Sequence, residues 1–268
     1  MSRTAPAVDQ SVAAWIDDLQ AAGRYTFTND ELAGFPGRSE VAVAAALRRL
    51  KQKARIQSPR RGFFVIVPVE YRSAGCPPAS WFVADLMQFL GQPYYVGILS
   101  AAALHGAAHQ QPMSFQVVTD RPTPPAGAGR VRIEFHMSSV LAKTPVVDLQ
   151  TDTGSMRVAT PEATAFDLVR YQAAAGYLDN VVTVLAELVE RMRPEALTAC
   201  AKKQAVPDAQ RVGYLLDRLG HQALADSVWN GIAATPRAVL LVPRRGRGRT
   251  RMHPRWRVVP NWNFQADQ

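Results

Sequence analysis

YTFTNDELAGFPGRSEVAVAAALRRLKQKARIQSPRRGFFVIV, residues 25–67, is the stretch on which the reading of the whole chain turns. From Arg38 the run RSEVAVAAALRRLKQKARI holds neither glycine nor proline, so about five turns of helix are permitted, ending near Arg55. Val43, Leu47, Leu50 and Ala54 recur at helical spacing and point one face at a core. Arg38, Ala42, Ala45, Arg49 and Lys53 form a second stripe about 100° round the cylinder, and its small residues suit close approach to a major groove about 12 Å wide. Asn29 caps a short helix before it, and GFPGR supplies the break between the two. Behind it, Ile56 to Ser58 and Phe63 to Val67 flank the turn tetrapeptide Pro59-Arg60-Arg61-Gly62, a hairpin with a cationic tip. Val12, Trp15, Ile16 and Leu19 give an earlier helix. The sum is a winged helix-turn-helix.

Charge agrees with that reading. Residues 38–61 carry eight Lys or Arg against Glu40, and residues 237–257 carry eight arginines and no acid. The chain as a whole is +9, so the basicity is concentrated in two places. Phosphate neutralisation with counterion release requires that kind of concentration. Arg38 and Ser39 at the tip of the helix are the expected base readers, because the N-terminal part of such a helix enters the groove first. Arg48, Arg49, Lys51, Lys53 and the wing pair Arg60 and Arg61 complete the expected DNA-binding set. A charged helix that is merely solvated is the alternative.

The 268 residues divide, on this reading, into a DNA-binding domain at 1–67, an extended proline-rich linker at 68–80 and a larger mixed α/β domain at 81–268 with a helical C-terminal part. The fold class expected is therefore α+β. Residues 81–90 read as an apolar helix, and residues 94–106, after a break at Gly91 to Pro93, as a helix of small residues. Residues 115–120 and 130–137 read as strands joined by a Pro- and Gly-rich loop. Short strands follow at 146–149 and 156–159. Thr160-Pro161-Glu162 has the residue order of a helix start. Amphipathic segments at 178–192, 194–204, 208–219 and 221–229 make a helical part. Strands at 239–242 and 256–259 flank a basic loop.

Two cysteines, Cys76 and Cys200, are too few for a disulfide framework and lack zinc-site spacing, so both read as inert thiols. No signal segment or membrane-spanning run is evident, and a cytoplasmic protein with no membrane partner is expected.

The run YYVGILSAAALHGAAHQQPMSFQVVTDR at 94–121, the later ATPEATAFDLVRY and an Arg-Trp-Arg strand near the end resemble the AbiEi family of antitoxins and transcriptional regulators. The likeness extends over residues 25–259. It implies an N-terminal winged helix-turn-helix before a larger mixed domain. It also implies an antitoxin that represses its own operon and counteracts a co-encoded nucleotidyltransferase-like toxin in a type IV arrangement, in which direct contact is not required. An ordinary regulator whose second domain dimerises or senses a ligand is the alternative.

Enzyme signatures are missing. His105 and His109 stand at i, i+4 without the glutamate of a zinc hydrolase, and no G-x-S-x-G, Walker A or strand-linked G-x-G-x-x-G occurs. No catalytic residue, metal site or cofactor is expected. The expected partner is double-stranded DNA at the chain's own promoter, with inverted repeats if two copies bind. Arg244, Arg245, Arg247, Arg249, Arg251 and Arg255, beside Trp256, form a second basic surface for DNA, RNA or the toxin, or a solvated loop.

Overall fold

The computed structural model describes residues 10–107, 112–247 and 250–262. Helix α1 (Val12–Ala21) starts at Ser11, whose hydroxyl accepts from the Ala14 amide at 3.1 Å. Then come β1 (Thr26–Thr28), the one-turn α2 (Asn29–Leu32), α3 (Glu40–Gln52), and the hairpin of β2 (Ile56–Arg60) and β3 (Phe63–Ile66). The three strands form an antiparallel sheet in the order β1-β3-β2. Three helices and the sheet enclose one small core around Trp15, against which Phe27 and Phe35 stand edge-on at 5.4 and 6.0 Å.

Two boundaries differ from expectation for local reasons. Thr28, not Asn29, precedes α2, and the Glu31 carboxylate accepts from the Thr28 amide at 2.9 Å to close the first turn. Helix α3 is shorter than residues 38–55. Ser39 is its N-cap, accepting from the Ala42 amide at 3.3 Å, so Arg38 lies before the helix. At the far end Ala54 adopts φ +50°, and the Arg55 amide bonds back to the Leu50 carbonyl at 2.9 Å. The helix is closed by a left-handed residue that is not glycine, which is why no break is visible in the sequence.

The larger region holds α4 (Val83–Leu90), β4 (Tyr94–Val96), α5 (Ile98–Leu104), β5 (Phe115–Thr119), β6 (Ala126–Ala128), β7 (Val131–Met137), β8 (Val146–Thr151) and β9 (Gly154–Ala159). Its mixed sheet runs β6-β7-β5-β4-β9-β8. Helices α6 (Pro161–Arg170), α7 (Tyr177–Leu188), α8 (Pro194–Ala201), α9 (Val206–Arg218) and α10 (Gln222–Gly231) follow, and a short parallel pair, β10 (Val239–Leu240) and β11 (Val258–Val259), lies near the end. The chain is a mixed α+β protein. Thr160 caps α6 as its sequence promised, accepting from the Ala163 amide at 3.3 Å with Pro161 at the first helical position. None of the described helices is long and apolar enough to cross a membrane.

Residues 94–106 are not one helix. Tyr94, Tyr95 and Val96 form a central strand, and α5 begins after Gly97. A β-carbon on Gly97 would stand 2.8 Å from Val118 and 2.9 Å from the Asp167 carboxylate, so the chain can turn from strand to helix here only without a side chain. The loop expected between the strands at 115–120 and 130–137 contains the edge strand β6.

Residues 68–80 are not an extended crossing. They form two 3₁₀ turns, Val69–Tyr71 and Ala79–Trp81, with Cys76 and Ala79 buried in the large core. The backbones of Gly75 (φ +79°) and Gly129 (φ +56°) approach so closely that a β-carbon on Gly75 would lie 2.9 Å from Gly129 Cα. Strand β3 joins the two cores. Phe64 and Ile66 belong to the small one, while Phe63 and Val65 point the other way into the large one.

Candidate nucleic-acid interface

Helix α3 lies on the surface. Val43 and Leu50 are buried and hold it to the small core, with Ala46 and Leu47 partly buried beside them. Arg38, Ser39, Arg48, Arg49, Lys51 and Lys53 are all exposed. Among the described residues, none of these cations forms an ion pair; Lys51 lies over the Phe64 ring at 5.1 Å. Arg49 and Lys51 occupy the last turn, where positive charge complements the helix dipole, and Glu40 the first.

The stripe Arg38, Ala42, Ala45, Arg49 and Lys53 does share one side. It lines a cleft of about 420 Å³ against Ser11 at the start of α1, joined there by Arg55, which is paired with Asp17. The side facing squarely outward is a different one. Val41, Ala44, Arg48 and Gln52 lie opposite the buried Val43 and Leu50, and all four are exposed. The sequence carried that signal: Val41 stands about 180° from Leu50 at 100° per residue.

Arg60 is a correction. Its guanidinium donates to the Pro124 carbonyl and lies 5.8 Å from the centre of the Phe135 ring, both in the larger region, so it is not a free phosphate contact. Arg61, next in the chain, is exposed. The same seam holds Thr26, whose hydroxyl donates to Asp85 Oδ2 at 2.5 Å, and the Phe63 and Phe89 rings at 5.5 Å. Burial pushes the Asp85 carboxyl up, and the Thr26 hydrogen bond partly offsets this. The run Phe63-Phe64-Val65-Ile66 was the sequence signal for the seam, because a strand without polar alternation is buried on both faces.

The second basic segment divides. Arg255 is paired with Asp226 at 2.6 Å and packs on the Trp229 and Trp256 rings, which corrects its assignment to a free surface. Arg245 stacks on Trp262 at 4.4 Å, while Arg244, Arg247 and Arg251 are exposed. Arg249 lies outside the described residues, as does His109. His105 Nε2 is 2.7 Å from the Ala159 carbonyl, a structural contact. Cys76 and Cys200 are buried, and burial pushes each thiol up to about 12, away from nucleophilic use.

Inside the larger region charge is arranged in the opposite way. Arg170 Nε donates to Asp208 Oδ2 at 3.0 Å, and Arg211 Nη1 to Asp208 Oδ1 at 3.1 Å, with all three side chains largely buried. Gln204 accepts from Arg170 at 2.6 Å. Asp167, fully buried, accepts from the Tyr95 hydroxyl at 3.2 Å, and burial pushes its carboxyl up to about 7.

Residues 95–218, which contain this network, match the family model described as the AbiEi antitoxin C-terminal domain. No match was found among curated proteins. Among solved structures, the crystal structure of the RV2827C protein from Mycobacterium tuberculosis is similar over 95% of this chain and 94% of that one, with a TM-score of 0.63 at 18% identity, a likeness of fold. Over residues 95–218, therefore, the chain is similar to the AbiEi antitoxin C-terminal domain.

Proposed function

We propose that the chain is a DNA-binding autorepressor as well as an antitoxin: residues 1–67 act as a winged helix-turn-helix that grips duplex DNA at its own promoter, and residues 81–268 counter a co-encoded nucleotidyltransferase-like toxin. One observation carries the DNA reading. The exposed surface of α3 carries Arg48, Arg49 and Lys51 among alanines, with Arg38 just before the helix and Lys53 at its end, and no carboxylate is paired to any of them among the described residues. Cations left unpaired on a narrow helix suit an external row of phosphates. Arg61 remains in the contact set. Arg60 leaves it, and its role passes to holding the hairpin against the larger region. The toxin class rests on the likeness of residues 95–218 to the AbiEi antitoxin domain alone.

The test uses the whole chain, because a cut at residue 67 would expose Phe63 and Val65, which the large core buries. A footprint upstream of the chain's own gene is expected to show protection. Replacing Arg49 and Lys53 together by alanine should lower the slope of log affinity against log salt by about two. The same variant should still protect cells in which the toxin is expressed. An unchanged salt slope would remove α3 from the interface, and loss of protection would tie the two activities to one surface.

A further inference from the structure

Val41 is 79% exposed on the first turn of α3, unusually open for a large aliphatic side chain. Among the described residues none covers it. A β-branched residue disfavours the helix slightly relative to alanine, and the neighbouring Ala42, Ala44 and Ala45 show that smaller residues are accommodated here. Val41 lies opposite the buried Leu50, at the centre of the outward side, with Arg48 two turns along on the same side. Glu40, the one acid between Arg38 and Arg61, is exposed beside it and would be repelled by phosphate, which turns this tip toward base edges rather than backbone.

We infer that Val41 is a specificity-determining residue that packs on the 5-methyl group of a thymine in the major groove. In that groove the methyl is the apolar feature distinguishing thymine, and the flanking alanines let the backbone come close enough for a valine to reach it. The inference rests on the DNA reading of α3 and adds one contact that the charge pattern does not predict.

The test uses duplexes selected by the full chain from a randomised pool, with each thymine of the selected site replaced in turn by deoxyuridine, which lacks only the methyl. Deoxyuridine at one position should weaken binding about four-fold, the worth of one buried methyl. Val41→Ala should weaken binding to the unmodified site similarly and show no further loss at that position. Alanine favours the helix, so the loss would not be a folding defect. If every deoxyuridine is neutral, or Val41→Ala is as sensitive to the substitution as the parent, Val41 does not read a methyl. Salt-dependent binding to an unrelated duplex keeps the two ideas apart: its presence without a methyl effect overturns this contact alone, and its absence overturns the DNA reading with it.

Discussion

The arginines of α3 and those of α6 and α9 are the same residue used in opposite ways. On α3 they stand in solvent without carboxylates among the described residues, whereas Arg170 and Arg211 share Asp208 within the fold. A guanidinium paired inside the protein has spent its charge on architecture, and one left free is available to an anion from outside. Arg60 shows that sequence proximity does not decide between the two, since it is tied to Pro124 while Arg61 is free to solvent.

The largest expected effect breaks the inner arrangement. Asp208→Ala leaves Arg170 and Arg211 buried without their shared carboxylate, and the chain should lose roughly 3–5 kcal/mol in urea unfolding. Arg49→Ala, made on the surface helix, should change stability by less than about 0.5 kcal/mol. Equal losses would mean that the two sets are not distinct.

Next in size is a pH effect. Burial moves Asp167 from an ordinary value of 3.8 to about 7, so the folded chain holds that proton more tightly than the unfolded one. Its contribution is therefore fully present below the ordinary carboxylate range and is lost as pH rises through about 7. Asp167→Asn cannot ionise, and the difference in urea midpoint between variant and parent should shift in the variant's favour from about pH 5 to about pH 8. A pH-independent difference would show that the carboxyl titrates normally in the fold.

Arg60 and Arg61 sharpen the comparison within one turn of chain. Arg60→Ala removes the seam contact and should cost about 0.5–1.5 kcal/mol of stability, since water can reach the exposed Pro124 carbonyl in place of the lost donor. Arg61→Ala should leave stability unchanged and lower the salt slope of DNA binding by about one. A reversal of these two outcomes would place the free charge on the wrong residue.

What could be read in advance was local. The cap at Thr160, the inward positions Val43 and Leu50, and the strands β5 and β7 follow from turn chemistry and periodicity acting over a few residues. The unbroken apolar run through Tyr94 and Ile98 hid a change from strand to helix, because both elements are buried there and periodicity cannot separate them. The polar pairs across the seam were hidden for another reason. Thr26 meets Asp85 and Arg60 meets Pro124 across 59 and 64 residues of sequence, and no local pattern specifies such pairs. For the candidate site, helical spacing picked out the stripe that lines the α1 cleft, and charge picked out Arg48, while Val41 beside it went unmarked because valine carries no polar signal.

The smallest effect concerns the point where the two regions begin to be joined. Ala54 ends α3 in a left-handed conformation that costs an L-residue about 1–2 kcal/mol and costs glycine almost nothing. Glycine also has more freedom to lose from the unfolded chain, so Ala54→Gly should gain only about 0.5–1 kcal/mol net. That gain should come without any change in DNA affinity, because Ala54 is partly buried behind the helix and contributes nothing to its outward side. Stability and binding measured together on this variant separate what holds α3 in place from what α3 presents. If tighter closure of the helix also altered the salt slope or the deoxyuridine effect, its exposed cations would not be the independent surface that their contrast with Arg170 and Arg211 implies.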